Sequence, residues 1–239
     1  MCRALEPFGS HFFTSRAWPL GSAQDGDSPH AWLDVAAAAG IDAAHLARAH
    51  QVHGTHAIVA DPRSRPDADI IVSDNPRVAL AIQTADCVPL LIADRVTGAI
   101  AAAHAGWRGL AAGVPRAVVA VLTREFGSAP ADLVAAVGPS ICAERYEVGE
   151  DVRERLVAAG FSTAELARWL FQGVRPGHWQ FDGWRSAQDQ LEAAGLTPAN
   201  IHIAAMCTAT YPDLFCSYRR DGKGAGRIAA AIRISPATR

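Results

Sequence analysis

The sequence predicts a mixed α/β (α+β) fold, with mixed sheets covered by helices in a single domain. Three observations predict it. Apolar runs of strand length recur along the chain. Stretches of helical period lie between many of them, without the regular strand–helix–strand beat of a doubly wound sheet. No internal repeat or low-complexity linker divides the 239 residues, a length that fits one large domain. Half of the residues are hydrophobic and 19% are charged, so a core can form without disulfides or a structural metal.

The elements follow in order. Ser28-Pro29, an alanine-rich stretch and Gly40 read as a helix with serine at the N-cap and glycine just past the end. Residues 57–60 and 69–72 read as short strands around the polar turn DPRSRPD. The runs 78–82, 88–93 and 99–103 are apolar at every position, as strands buried on both faces require. Asp94 to Gly98 is a turn joining the last two. From Leu110, the positions Val114, Val118, Val121, Leu122 and Phe126 keep helical spacing, and Gly127 closes the helix. A strand over 133–137 ends at Gly138-Pro139. Helices are expected over 151–159, 163–170 and 184–194, with Gly195 as a stop, and strands over 201–205 and 227–234.

Composition narrows the function classes. The net charge of −2 and the scattered arginines give no basic field, so nucleic acid is not an expected partner. Five cysteines with no CxxC pair argue against a disulfide framework and a zinc ribbon. Glu6 and Pro7 interrupt the N-terminal apolar residues, and no run approaches the roughly 18 apolar residues of a membrane span. A reduced cytoplasmic setting with no membrane contact is expected. No heptad or dimerisation stripe calls for an obligate protein partner, and a monomer is the default.

Chemistry gathers at two strand ends. His104 closes an apolar run and is followed at once by AGWRG. This places it on a sheet rim, with Arg108 near the start of the next helix, where free N–H groups favour an anion. Cys87 closes the polar segment Thr84-Ala85-Asp86-Cys87 between two apolar runs. Cys87 precedes the first strand of the hairpin and His104 follows the second, so antiparallel pairing brings both to one end of the sheet. Asp86 is then placed to act as a general base or to orient a ligand imidazole. A third donor is offered by His50, His53 and His56. On an extended strand His50 and His56 share one face and His53 takes the other, and spacing alone does not choose among them.

At this point the sequence resembles a known family. QVHG at 51–54, TADCVPLL at 84–91, HAGWRG at 104–109, GPSIC at 138–142 and DLFCSYRRDG at 213–222 are similar to the YfiH-like purine nucleoside phosphorylases, formerly labelled a polyphenol oxidase or laccase domain. The resemblance spans roughly residues 45–235 in order. It implies one domain over 1–239, with stacked mixed β-sheets flanked by helices, and a zinc site formed by His53, Cys87 and His104. Two imidazoles, one thiolate and an open position suit catalytic rather than structural zinc. The resemblance further implies phosphorolysis of adenosine and related nucleosides, with adenosine deamination as a second activity, and hence nucleoside and phosphate as small-molecule partners. Asp86, Cys87 and Arg108 are the catalytic candidates. Arg108 is suited to grip an oxyanion through two hydrogen bonds. Arg16, in the FTSR segment that matches the family's FTTR, and Tyr218, Arg219 and Arg220 join Arg108 as substrate-binding candidates.

The chain departs from the family before residue 45. AWPLGSAQDGD stands where a GG-x-S turn and an S-x-N-L segment are expected, and Pro29-His30-Ala31-Trp32-Leu33 replaces an Asn-Arg pair. The divergence of residues 1–44 leaves the metal donors in place and bears on substrate binding. One alternative reading is an amide hydrolase editing peptidoglycan precursors at the same site, including a metal-free Cys87–His104 mechanism. Another is a metal-binding regulatory protein with impaired catalysis. Copper-dependent phenol oxidation is disfavoured, because nine scattered histidines do not supply a blue-copper site and a cluster. The H-x-E and later PCxxC signature of zinc nucleoside deaminases is absent.

Overall fold

The run over 88–93, apolar on both faces, becomes a strand with every residue buried, Val88–Asp94, in the interior of the largest sheet. The computed structural model describes residues 2–235. Its elements begin with β1 (Gly9–Phe13), β2 (Gly21–Ser22), β3 (Gly26–Asp27), α1 (Pro29–Ala38), β4 (Leu46–Ala47), β5 (Ala57–Val59) and β6 (Ile70–Ser73). They continue with β7 (Ala79–Thr84), β8 (Val88–Asp94), β9 (Ile100–Ala105), α2 (Trp107–Ala112), α3 (Val114–Phe126), β10 (Leu133–Val137), β11 (Glu147–Gly149) and α4 (Glu150–Ala158). The remainder are α5 (Thr163–Trp169), β12 (Leu170–Gln172), β13 (His178–Phe181), α6 (Gly183–Ala193), β14 (Ile201–Ile203), α7 (Tyr218–Asp221) and β15 (Ile228–Ile234).

Two mixed sheets stack. One has six strands in the order β14-β10-β8-β9-β6-β5, the other four in the order β1-β15-β7-β4. Ile71, Leu91, Ala102 and Val134 from the first meet Leu80, Ile82, Ala230 and Ile232 from the second in a dry layer between them. The outer face of the six-stranded sheet carries Leu90, Ile92 and Ala101 against Leu110, Val118, Leu122 and Leu191 of α2, α3 and α6. The outer face of the four-stranded sheet is built of small residues, Ala79, Ala81, Ala229 and Ala231. These let Trp32 and Val35 of α1 approach closely. Cutting a large side chain from either filled layer, as in Leu90→Ala, removes contacts worth about 2–5 kcal/mol.

The fold is the mixed α+β architecture expected, and most long elements lie where pattern places them. The helix expected from Leu110 to Phe126 is two helices. Gly113 stands between α2 and α3 at φ 86°, a left-handed residue that ends one and begins the other. The three-stranded antiparallel sheet β11-β13-β12 has no counterpart in the sequence reading, because its strands are short and mostly half-exposed. β1 was equally silent in the sequence, having one buried residue among five.

Candidate metal centre

The hairpin of β8 and β9 pairs Val88 with Ala105 and Pro89 with His104, so Cys87 stands one step off the ladder beside His104. His104 is itself within β9, buried, rather than beyond its end. The segment from His50 to His56 is not extended. His53 adopts φ 61°, and this left-handed turn decides among the three histidines. His50 bonds the Asp67 carboxylate at 3.0 Å and His56 the Asp67 carbonyl at 2.6 Å, so both are directed away. The donor atoms of His53, Cys87 and His104 lie within 4.8 Å of one another. The two imidazoles meet edge to face with centroids 4.8 Å apart.

The surroundings fit a divalent ion. Two imidazole nitrogens and one thiolate form a borderline-soft donor set. Gly106 keeps the space beside them clear, since a Cβ there would lie 2.8 Å from Cys87 Sγ and 3.2 Å from His53 Cδ2. Among the described residues this is the one group of three or more His, Cys, Asp or Glu side chains arranged to hold an ion.

Electrostatics without an ion favour a thiolate and an imidazolium. Burial pushes the Cys87 thiol up, but His104 and His53 beside it outweigh burial and hold it at about 6. Burial pushes His104 down, but the Cys87 thiolate and the Asp69 carboxylate raise it to about 9. Asp69 is fully buried. Burial raises its carboxyl, yet the bonds from His104 and from the backbone of Gly54 and His53 leave it below the usual carboxylate range.

Asp69 is the residue that sequence reasoning missed. It lies opposite His104 across the β6–β9 ladder, with the His104 N–H donating to its carbonyl at 2.8 Å. Its carboxylate accepts from His104 Nδ1 at 2.8 Å. The signal was a charged residue heading the apolar run IIVS, one register step beyond the Ile70–Ala103 pair. Asp69, and not Asp86, is therefore the carboxylate in contact with the His104 imidazole. Asp86, at φ 86°, is occupied instead by the Thr208 hydroxyl, the Ser217 hydroxyl at 3.0 Å and the Arg219 N–H at 2.6 Å.

The donors open into a cleft of about 770 Å³ that also receives Asp86, Trp107, Arg108, Tyr218 and Arg219. Arg108 is exposed and stacks over the Trp107 ring at 4.4 Å. Arg219 donates to the Glu147 carbonyl at 2.7 Å and lies 5.0 Å over the Tyr146 ring. Tyr146, which no motif contains, forms part of the same wall. Burial pushes its phenol up, with the Cys87 charge adding to the effect, so it stays a hydrogen-bond donor. The Thr84 hydroxyl and Gln83 Oε1 are buried at the cleft and have no hydrogen-bond partner among the described residues. Two of the substrate-binding candidates, Arg16 and Arg220, do not line this cleft. Arg16 bonds the Pro212 carbonyl. Arg220 ties down the carbonyls of Thr208 at 3.0 Å and Phe215 at 2.9 Å and pairs with Asp221. Arg220 is thus engaged in loop anchoring, while exposed Arg16 makes a single such bond.

Comparison with known proteins gives consistent results. Residues 26–235 match the family described as multi-copper polyphenol oxidoreductase laccase. A purine nucleoside phosphorylase of Deinococcus radiodurans is 41% identical over 200 residues, covering 84% of this chain and 74% of that protein. An adenosine deaminase from an unknown prokaryotic organism is 31% identical over 211 residues, covering 84% and 79%. The crystal structure of the hypothetical protein YfiH of Bacillus licheniformis superposes with a TM-score of 0.84 at 25% identity, covering 91% of this chain and 86% of that one.

Proposed function

We propose that this chain, which belongs to the multi-copper polyphenol oxidoreductase laccase family, is a zinc-dependent purine nucleoside phosphorylase acting on adenosine and related nucleosides. Adenosine deamination is proposed as a side activity. The observation that carries this reading is the placement of the His53–Cys87–His104 cluster in one cleft with the exposed guanidinium of Arg108. The names of the relatives support nucleosides as substrates.

His53, Cys87 and His104 would hold the ion. When bound, it would supply Lewis acidity to an oxyanion or a purine nitrogen. The protein's own residues do the rest. Arg108, stacked on Trp107, grips phosphate through paired N–H donors. Phosphate oxygen attacks C1′ of the ribose as the C1′–N bond breaks and its electron pair leaves with the purine. The positive charge that develops on the sugar is matched by the phosphate beneath it. The orphaned Thr84 hydroxyl and Gln83 Oε1 are suited to ribose hydroxyls or a purine edge, since buried polar groups without partners are costly unless a ligand satisfies them. The Tyr146 phenol, held protonated, adds a donor.

The copper reading of the family name is not supported by the donors. Three side chains make one centre, whereas multicopper oxidation needs a blue-copper site and a separate cluster. Among the described residues no helix is long and apolar enough to cross a membrane.

Incubation with adenosine and inorganic phosphate, followed by separation of products, tests the proposal. Adenine and ribose 1-phosphate, absent from a phosphate-free control, are expected. Inosine without phosphate would mark the deaminase activity. No adenine at high protein concentration, with zinc bound, would overturn phosphorolysis.

A further inference from the structure

We propose that Asp69 is the positioning residue of the centre, setting both histidine donors through one buried carboxylate. The proposal rests on reading His53, Cys87 and His104 as a metal site. Four N–H groups converge on this side chain. Oδ1 accepts from His104 Nδ1 at 2.8 Å and from the His53 backbone at 3.1 Å. Oδ2 accepts from the backbones of Val52 at 3.2 Å and Gly54 at 2.6 Å. An ionised carboxylate offers about four acceptor sites, so its capacity is filled.

The two halves of this arrangement do different work. Toward β9, a carboxylate can only accept, so His104 must carry its proton on Nδ1 and present Nε2 to the ion. Toward the loop, three successive N–H groups from residues 52–54 form an anion-binding concavity. The carboxylate filling it holds His53 at φ 61°, a conformation a non-glycine residue rarely adopts without support. One group therefore fixes the tautomer of one ligand and the backbone of the other. Asparagine lacks the acceptors to do both. With its oxygen toward His104 it turns an NH₂ on the loop donors, and flipped it turns the NH₂ on His104.

The test is the zinc affinity of Asp69→Asn against the unaltered protein, by competition with a chromophoric chelator. A cobalt(II) spectrum of each reports donor geometry. The expected result is affinity weakened about 10–100-fold, with altered visible bands in the cobalt form. A second measurement needs no variant. Nitrogen-15 correlation of the imidazoles in the zinc-loaded, unaltered protein is expected to show His104 bound through Nε2 and protonated at Nδ1. Wild-type affinity and spectrum in Asp69→Asn, or ligation of His104 through Nδ1, overturn the assignment alone. Failure of the unaltered protein to bind zinc or cobalt overturns the metal reading and the assignment together. The phosphorolysis assay plays no part in either outcome.

Discussion

Two buried aspartates flank the donor cluster, and each organises a different side of the site. Asp69 gathers the β6–β9 ladder and the loop of His53. Asp86, from the next segment to reach the cleft, gathers Thr208, Ser217 and Arg219 from the C-terminal loops. Asp69 accepts from four donors and Asp86 from three, so both carboxylates are engaged by the protein itself. The difference lies in what they hold: Asp69 fixes atoms that would touch the ion, and Asp86 fixes the wall that would touch the substrate. A buried carboxylate in a loop is thus better assigned by its donors than by its nearness to a motif.

The comparison is broken most severely at the donors. Cys87→Ser removes the thiolate and leaves two imidazoles. Loss of bound zinc on desalting and phosphorolysis below detection are expected, read by elemental analysis and product separation. Retained stoichiometric zinc would show that Cys87 is not a ligand. Asp86→Asn separates the two aspartates. It leaves a carboxylate's donors partly unmatched, so a loss of about 1–3 kcal/mol of stability is expected, with a raised KM for nucleoside and nearly unchanged zinc affinity. Denaturant unfolding and chelator competition read the two effects, and zinc loss like that expected of Asp69→Asn would erase the distinction. Arg108→Ala strips the cleft wall without touching either aspartate. KM for phosphate is expected to rise about tenfold, as loss of a charged hydrogen bond predicts, while zinc content stays the same.

The smallest effect is on titration. With the ion removed by a chelator, the lowered Cys87 pKa means its thiolate persists as pH falls from 9 and is lost only below about 6. Alkylation by iodoacetamide, followed by mass spectrometry, is expected to show a midpoint near pH 6 where ordinary thiols titrate near 8.5. His104→Ala should move that midpoint upward, and added zinc should suppress the reaction. A midpoint near 8.5 in the unaltered protein would contradict the pairing.

Legibility of the molecule followed the strength of local pattern. The β8–β9 hairpin could be read because uninterrupted apolar runs and a polar turn admit one arrangement, and the nearness of Cys87 and His104 follows from antiparallel pairing. The choice of His53 could not be read from spacing, since it depends on a left-handed backbone that a carboxylate from another strand stabilises. Only the family motif pointed to it. Asp69 was hidden because a single charge before an apolar run resembles any strand boundary. Composition does not reveal that carbonyls of neighbouring loops take up much of Arg220 and one N–H of Arg16. The β11-β13-β12 sheet escaped because half-exposed strands of three or four residues carry little periodicity.

The donors are not equally anchored. His104 sits in an interior strand of the six-stranded sheet, Cys87 is half-buried one residue before its neighbour, and His53 is exposed on a turn. Amide exchange should be slower along β8 and β9 than around residues 52–54, whose amides are held by a single carboxylate and not by a ladder, since local opening costs less where few apolar contacts are lost. If an ion is held there, its release would begin at His53, the one exposed donor, while Cys87 and His104 remain in place. The residence time of such an ion would then follow how often the Asp69 carboxylate lets that one turn go.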